Sequence, residues 1–447
     1  MKLTASTCIT IFLAAIFVVG IAATTYYYYG TPHPTYLRII HTHSDEMIDE
    51  IVNDFEEWYQ QRYGQPIEVT AIHTDPQTAF EKATTKHKDA EAEVWWGGAL
   101  SLFKEAHGSL LPYNSSSMPK NGVDLTYPCP LMDLSDHTPR WYAASLYGLG
   151  VMYNEHRLDE LNLSIPQTWT DLTSDKHLGN ITMVDPTESE FTSPFIMLTL
   201  ESRNWTSGWE YLATLSALIE QYDTDGHESA LKVSSDYLPL AVVPDFYAYE
   251  RMAIDVPEIK FTYLNATILQ PDPIAIISKG TYINEAKAFV DYLLSLQAQN
   301  IIGEYLLPMH QDATTYPSTH SPFDPNFPQI YKYNETLQEI IGDYYKTWTT
   351  QRHDQIKLAY KEIREANKTK DVNSNATQYF NLAWSNFTYA GYYRNHTQIN
   401  DLYNATNGWT ENVTSYVGEW EIASSEAYNN ALVNAQKSKE AAKNEDS

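Results

Sequence analysis

Two histidines, His41 and His43, are separated by one residue directly after a short apolar stretch. Residues two apart in an extended segment point to the same side, so this spacing brings two imidazoles together. Metal-dependent hydrolases of the barrel type use such a pair, together with further ligands on later strand ends. The later histidines His73, His137 and His177 follow no strand in a ligand pattern, and the chain has no HExxH, GxSxG or P-loop motif. We therefore predict no metal site and keep a metal-dependent hydrolase using His41 and His43 as an alternative.

The chain around these histidines alternates between strand and helix patterns. Residues 36–41, 67–72 and 93–96 form short strand-like stretches, and apolar side chains recur at helical spacing after Ser44, a residue type that caps helices. This order predicts a parallel α/β sheet, whose ligands lie beyond the carboxyl ends of the strands. Here those ends are Thr42-His43-Ser44, His73-Thr74-Asp75 and Trp96-Gly97-Gly98.

The same alternation continues further along the chain. Extended or strand-like stretches occur at residues 141–154, 181–185, 240–245 and 274–277, and a helix is predicted over residues 285–299. From about residue 314 the chain becomes rich in proline and then helical and polar.

Composition restricts the class of protein. The chain has 447 residues, 43% of them hydrophobic, which is enough for two lobes with sizeable cores. A formal net charge of −28 repels nucleic acid, so a nucleic-acid partner is excluded. Only two cysteines occur, Cys8 in an apolar run and Cys129 outside it, which fits neither a zinc site nor a redox pair.

The N-terminus has the pattern of a membrane anchor. Residues 8–23 are almost wholly apolar, Lys2 adds positive charge before them, and Tyr26–Tyr29 follow as interfacial aromatic residues. We expect residues 1–30 to be an uncleaved signal anchor, with a cleaved signal peptide as the alternative. In both cases the bulk of the chain is extracellular.

Asn-x-Ser/Thr sequons are frequent, which predicts a glycosylated surface. They begin at Asn114, Asn162, Asn180, Asn204, Asn265, Asn334, Asn367, Asn375, Asn386, Asn395, Asn404 and Asn412. Together with the anchor, they favour an archaeal cell surface.

Several segments, in constant order over residues 36–310, resemble the extracellular solute-binding proteins of ABC importers. Within these proteins the resemblance is to the cluster of ferric-ion and phosphonate receptors. The segments are His41-Thr42-His43-Ser44, Val94-Trp95-Trp96-Gly97-Gly98, Arg140-Trp141-Tyr142 with Ser145-Leu146-Tyr147-Gly148, Met152-Tyr153-Asn154, Pro166–Leu172, Asp185-Pro186, Asp245-Phe246-Tyr247 and Pro271–Ile276.

The resemblance implies a periplasmic-binding-protein type 2 fold, with two α/β lobes and hinge strands that close on a ligand. Lobe 1 would comprise residues 36–145 with a return over 272–310, and lobe 2 residues 146–271. Residues 31–35 would form a linker, residues 311–436 an additional helical region, and residues 437–447 a disordered tail. The implied partners are a small-molecule solute, a membrane permease and a cytoplasmic ATPase. No enzymatic activity and no cofactor are expected.

In this family the ligand lies between the lobes, at strand-end loops and helix N-termini. Carried over by position, the resemblance implies two groups of ligand-binding residues. They are Thr42, His43, Ser44, Trp96, Gly97 and Gly98 in lobe 1, and Tyr147, Asp185, Thr187, Ser189, Asp245, Phe246 and Tyr247 in lobe 2. Of the two adjacent tryptophans, we expect Trp95 to lie in the core.

Two departures from the family pattern bear on the solute. Where anion-binding relatives carry a glycine-containing run of small residues, this chain has Glu188 and Glu190 at an expected helix start, where they compete with an anion for the helix dipole. Where ferric relatives carry adjacent tyrosines, Phe246 replaces one of them. We therefore expect an organic polar or cationic solute. A structural cell-surface glycoprotein is a further alternative.

Overall fold

The computed structural model describes residues 34–85, 91–118, 129–133, 138–253, 258–314, 321–332, 335–393, 398–399 and 414–443. The expected N-terminal anchor over residues 1–30 lies outside these residues. In the part of the chain that is described, no helix combines the length and the apolar character that crossing a membrane requires.

Strands and helices alternate through most of the chain. The strands are β1 (Thr35–His41), β2 (Ile67–His73), β3 (Val94–Trp96), β4 (Trp141–Asn154), β5 (Ile181–Val184), β6 (Ile219–Asp223), β7 (Leu240–Pro244), β8 (Ile259–Thr262), β9 (Ala266–Thr267), β10 (Leu269–Ile276), β11 (Leu307–Pro308) and β12 (Gln329–Ile330). The helices are α1 (Asp45–Tyr63), α2 (Pro76–Thr84), α3 (Leu100–Glu105), α4 (Glu155–Glu160), α5 (Pro194–Ser202), α6 (Trp205–Leu218), α7 (Gly226–Ser234), α8 (Asp245–Ala253), α9 (Ile283–Leu293), α10 (Leu296–Ile302), α11 (Glu335–Trp348), α12 (His353–Asn367), α13 (Ser374–Phe387), α14 (Ala390–Tyr393) and α15 (Thr414–Lys443).

The chain divides into two compact units. Unit 1 takes its described residues from 1–121, 133–142 and 273–301, and unit 2 takes them from 122–132, 143–272 and 302–447. Strand β4 begins in unit 1 and continues in unit 2, and β10 runs from unit 2 into unit 1.

Unit 1 is built on a sheet in which β1 pairs in parallel with both β2 and β3, and β3 pairs with the end of β10 in the antiparallel sense. Helix α1 buries Met47, Ile48, Ile51, Phe55 and Tyr59, the face that its sequence periodicity predicts. The helix ends where Gly64 adopts the left-handed conformation, with φ of 71°, and its N–H donates to the Gln60 carbonyl.

Unit 2 contains a second sheet, in which β7 pairs antiparallel with β4 and parallel with β5, and β5 pairs parallel with β6. Its core is one continuous cluster of apolar side chains that extends into the C-terminal helices. The Trp209 ring of α6 lies 4.9 Å from the Tyr344 ring of α11, which in turn lies 5.0 Å from the Trp420 ring of α15. The C-terminal helices therefore complete the core of unit 2.

Helix α15 extends further than the sequence indicates. Residues 437–443, expected to begin a disordered tail, form its last turns. Ser438 is fully buried and its hydroxyl donates to the Ala376 carbonyl at 2.7 Å, while Lys439 forms an ion pair with Glu362 at 2.6 Å. Contacts with α12 and α13 thus stabilise a segment whose own composition is that of a solvated tail.

Candidate functional site

Three loops of unit 1 leave the sheet at the same edge. His41, the last residue of β1, is the register partner of both His73 at the end of β2 and Trp96 at the end of β3. The strands are parallel, so their carboxyl ends coincide and the loops beginning at Thr42, Thr74 and Gly97 emerge together. This is the arrangement that the strand-end prediction required.

Gly97 and Gly98 hold the third loop in a backbone conformation that other residues avoid, with φ of 93° and 114°. A Cβ atom at Gly97 would lie 2.3 Å from Thr42 Oγ1 and 2.7 Å from His43 Nε2. The Gly97 N–H donates to the Pro273 carbonyl at 2.8 Å. The backbone at Gly97 therefore packs directly against two predicted ligand-binding side chains.

Both tryptophans of β3 are fully buried. Trp95 stacks on Phe103 with ring centroids 3.7 Å apart, and its indole N–H donates to the Gly97 carbonyl at 3.0 Å, so its expected place in the core is confirmed. The Trp96 ring lies 4.6 Å from the half-buried His43 ring. In this structure Trp96 supports His43 from within the core, whereas the sequence predicts direct ligand contact for it.

His41 is buried and belongs to a cluster of imidazoles. Burial, followed by the nearby His43 and His73, lowers the pKa of His41 to about 4, so the side chain is neutral at neutral pH. The rings of His41 and His73 lie 5.5 Å apart. Nowhere in the described ranges do three histidine, cysteine, aspartate or glutamate side chains come together in a way that could hold a metal ion.

The N-terminus of α1 lies directly beside these loops. Ser44 occupies the N-cap position but its side chain makes no capping hydrogen bond, so its hydroxyl is left for another partner. Asp45 and Glu46 stand in the first turn, where their charge interacts favourably with the helix dipole.

In unit 2, Asp185 follows β5 and organises the loop after it. Its Oδ1 accepts hydrogen bonds from the Thr187 N–H and the Thr187 hydroxyl, each at 2.8 Å. The Ser189 carbonyl accepts from the Ser193 N–H at 2.9 Å, and α5 begins only at Pro194. The expected helix start at residues 187–191 is therefore wrong, because the Asp185 carboxylate holds those residues in a turn and proline favours the first helical position.

Asp245 is almost completely buried at the start of α8. Its Oδ1 accepts from the Phe246 N–H at 2.8 Å, and its Oδ2 accepts from the Gly148 N–H at 3.2 Å and from the Tyr263 hydroxyl. Burial raises the pKa of Asp245 to about 7, although these three donors oppose the rise. The carboxylate is thus occupied within the protein, in contrast with the direct ligand contact that the sequence predicts.

Three aromatic rings meet beside Asp245. Tyr147, Phe191 and Phe246 form a triangle, with ring centroids separated by 5.5 Å, 5.7 Å and 5.6 Å and all three pairs edge to face. Phe191 and Phe246 are half-buried, and Tyr147 is buried. Sequence reasoning missed Phe191, whose only signal is an aromatic residue at the end of the loop that follows β5.

Tyr247 packs beside this triangle. Its ring lies 4.2 Å from Phe246 and 4.8 Å from His227, and it covers Gly226, where a Cβ would lie 2.1 Å from the ring. Burial, with Asp225 and Glu250 nearby, raises the pKa of the Tyr247 phenol.

Comparison with known proteins identifies the class. The family model of bacterial extracellular solute-binding proteins matches residues 105–336, a little over half of the chain, and the chain therefore belongs to this family. The match to the periplasmic binding protein P5PA covers 69% of this chain and 94% of P5PA, with a TM-score of 0.52 and 19% sequence identity. A second match is to AfuA from Actinobacillus pleuropneumoniae, which was solved with fructose-6-phosphate bound. This match covers 76% of this chain and 98% of AfuA, with a TM-score of 0.52 and 20% sequence identity. The expected two-lobed α/β fold is confirmed.

A curated relative is also similar over part of its length. The phosphoglycerate transport regulatory protein PgtC of Salmonella typhimurium is 26% identical over 162 residues, which is 36% of this chain and 40% of that relative. This chain thus spans well under half of the length of that protein.

Proposed function

We propose that this chain is the extracellular substrate-binding component of an ABC importer, which captures a small solute and delivers it to a membrane permease served by a cytoplasmic ATPase. The family match over residues 105–336 is the observation that carries this proposal. Binding rather than catalysis is its activity, and a small-molecule solute is its partner.

In this proposal, Thr42, His43, Ser44, Gly97 and Gly98 of unit 1 contact the solute through hydroxyl, imidazole and backbone groups. Gly97 supports this role because it packs against the Thr42 and His43 side chains. Trp96 lies beneath His43 and fixes its ring.

Unit 2 contributes the aromatic triangle of Tyr147, Phe191 and Phe246, together with Tyr247 and the loop residues Asp185, Thr187 and Ser189. Asp245 acts as a positioning residue, because it binds the Phe246 N–H and the Gly148 N–H. The faces of these aromatic rings favour an organic solute with a cationic or polar group.

The relatives suggest a second class of solute. PgtC is named for phosphoglycerate transport, and AfuA was solved with fructose-6-phosphate, so a phosphorylated organic acid or sugar is the alternative. Asp45 and Glu46 beside the unit 1 loops would oppose the charge of such a solute.

A thermal-shift and calorimetry panel tests both the function and the solute class. The panel contains polyamines and quaternary amines, phosphoglycerates and sugar phosphates, and ferric citrate. A true solute at 100 times its Kd adds about 2.7 kcal/mol to the free energy of unfolding. Binding should weaken by tenfold or more in Phe246→Ala, and should be unchanged in the control Tyr237→Ala, which removes an exposed aromatic ring. Failure of every panel member to bind would contradict the proposal.

We also propose that residues 1–30 anchor the protein with its bulk outside the cell, and that the surface is glycosylated as in archaea. The apolar run of residues 8–23 and the twelve sequons support this. Membrane fractionation and N-terminal mass spectrometry of the protein from its source test it, and a soluble, cleaved, unmodified chain would contradict it.

A further inference from the structure

A cavity of about 280 Å³ is lined by residues of unit 2. Its walls come from α12 and α13 and from the short turn at Asp175–His177. Both helices follow residue 336, where the family match ends. The side chains that line it are Asp175, Tyr360, Ile363, Arg364, Asn367, Phe380 and Trp384.

The aromatic part of the wall is held in place. Trp384 packs against Phe387 with ring centroids 5.7 Å apart, and its indole N–H donates to Glu210 Oε1 at 3.1 Å. Phe380, also half-buried, has the Lys370 ammonium 5.0 Å from its ring centroid. The hydrogen bond to Glu210 thus fixes the orientation of Trp384 in the wall, while the Lys370 ammonium lies over the face of Phe380.

The polar part of the wall is electrically balanced. The Asp175 carboxylate accepts a hydrogen bond from the Tyr360 hydroxyl at 2.9 Å and lies 2.9 Å from Arg364 Nε. Arg364 approaches Asp175 through Nε, which leaves its terminal amino groups for other partners. A charged ligand would meet an ion pair that is already neutralised, whereas a neutral ligand with several hydroxyls finds both donors and acceptors.

We propose that this cavity is a binding site for one saccharide ring. A pyranose has an apolar face of C–H groups, which stacks on an aromatic ring, and hydroxyls around its edge, which suit a carboxylate, a guanidinium and an amide. The volume fits a ligand of that size.

The saccharide has two sources with the same chemistry. It is either a free sugar or the first sugar of a glycan carried on Asn367, which is exposed, lines the cavity and begins the sequon Asn367-Lys368-Thr369. The proposal does not depend on the proposed transport function, because none of these residues belongs to the predicted solute site.

Two arms of one experiment test the proposal. In the first, the unglycosylated full chain made in a bacterial host is probed by saturation-transfer NMR with glucose, galactose, mannose and N-acetylglucosamine. We expect a saturation-transfer signal from at least one sugar. The Trp384→Phe variant should retain this signal and the Trp384→Ala variant should lose it. The matched control Trp58→Ala and the Phe246→Ala variant should give the same signal as the unaltered chain. In the second, the protein from its own source is mapped for a glycan on Asn367, and protease protection of that glycopeptide is compared between Trp384→Ala and the unaltered chain.

Binding of a free sugar in the first arm would show that the cavity takes a ligand from solution. A glycan on Asn367 that Trp384 protects from protease would show that the cavity holds the protein's own glycan. The proposal is overturned if no sugar binds the bacterial protein and Asn367 carries no glycan, or if binding and protection are the same in Trp384→Ala. Circular dichroism of each variant separates loss of binding from loss of fold.

Discussion

Asp245 should make the stability of the protein fall as the pH rises from about 4 to about 7. Its pKa is raised to about 7 in the folded protein, from an ordinary value of 3.8, because burial outweighs three hydrogen bonds to the carboxylate. Between these two values the folded protein keeps a proton that the unfolded chain has released, so raising the pH favours unfolding. The stability that this bound proton contributes is fully present below the pKa that Asp245 has in the unfolded chain. It is lost as the pH rises through the pKa that Asp245 has in the folded protein.

The size of the effect follows from the pKa difference. Roughly three pKa units at about 1.36 kcal/mol each amount to about 4 kcal/mol between the two ends of the range. No charged side chain is among the causes of the shift, so low ionic strength and high ionic strength should give similar values.

Urea unfolding of the wild type and of Asp245→Asn, measured at intervals from pH 4 to pH 7, isolates this group. Other titrating residues are common to both proteins, so the difference between the two unfolding free energies reports Asp245 alone. We expect the wild type to lose about 4 kcal/mol relative to the variant across the range. The variant also places an amide donor near the Gly148 N–H, which shifts the difference by a constant and leaves its slope unchanged. A difference in unfolding free energy that does not change with pH would refute the reasoning. It would mean that the hydrogen-bond donors lower the pKa of Asp245 by at least as much as burial raises it.

Further predictions concern the loops and the C-terminal helices. Gly97→Ala combines backbone strain of about 1–3 kcal/mol with a Cβ only 2.3 Å from Thr42 Oγ1, so its urea midpoint should fall, while Gly108→Ala, which meets nothing within 4 Å, should not change it. Equal midpoints for both variants would contradict this. Glu188→Ala breaks a partly exposed ion pair with Lys346 and should cost less than about 1 kcal/mol by the same assay. Deleting residues 335–447 should leave unit 2 binding a hydrophobic dye and without cooperative unfolding; a cooperative transition in the truncated chain would contradict it.

Local patterns predicted the elements of unit 1 well. The apolar spacing of α1 and the alternation of β1 and β2 each arise within one segment, and the carboxyl ends of three strands then coincide because parallel pairing requires it. The family resemblance supplied what these patterns cannot, namely that a second α/β unit follows the first.

The candidate site was harder to predict, because side-chain direction depends on distant contacts. Phe191 meets Tyr147 and Phe246 only after three separate segments have folded together. Asp245 follows a strand end, as ligand-binding residues do, yet the distant Tyr263 hydroxyl and Gly148 N–H bind its carboxylate within the core. Sequence position predicts which loops follow the strand ends, and only the packing shows which of their side chains are buried or already bonded within the protein.

The C-terminal region shows why a family boundary is not a structural boundary here. Residues 335–443 follow almost all of the matched segment, yet the Tyr345 hydroxyl bonds the Tyr222 hydroxyl at 2.8 Å and the Tyr428 hydroxyl donates to the Trp348 carbonyl at 2.7 Å. Trp209 of the α/β part is buried against these helices. Because unit 2 would expose this apolar surface without them, the extension is a required part of its fold. A saccharide site formed between the extension and Asp175 would therefore be as rigid as the core that supports it.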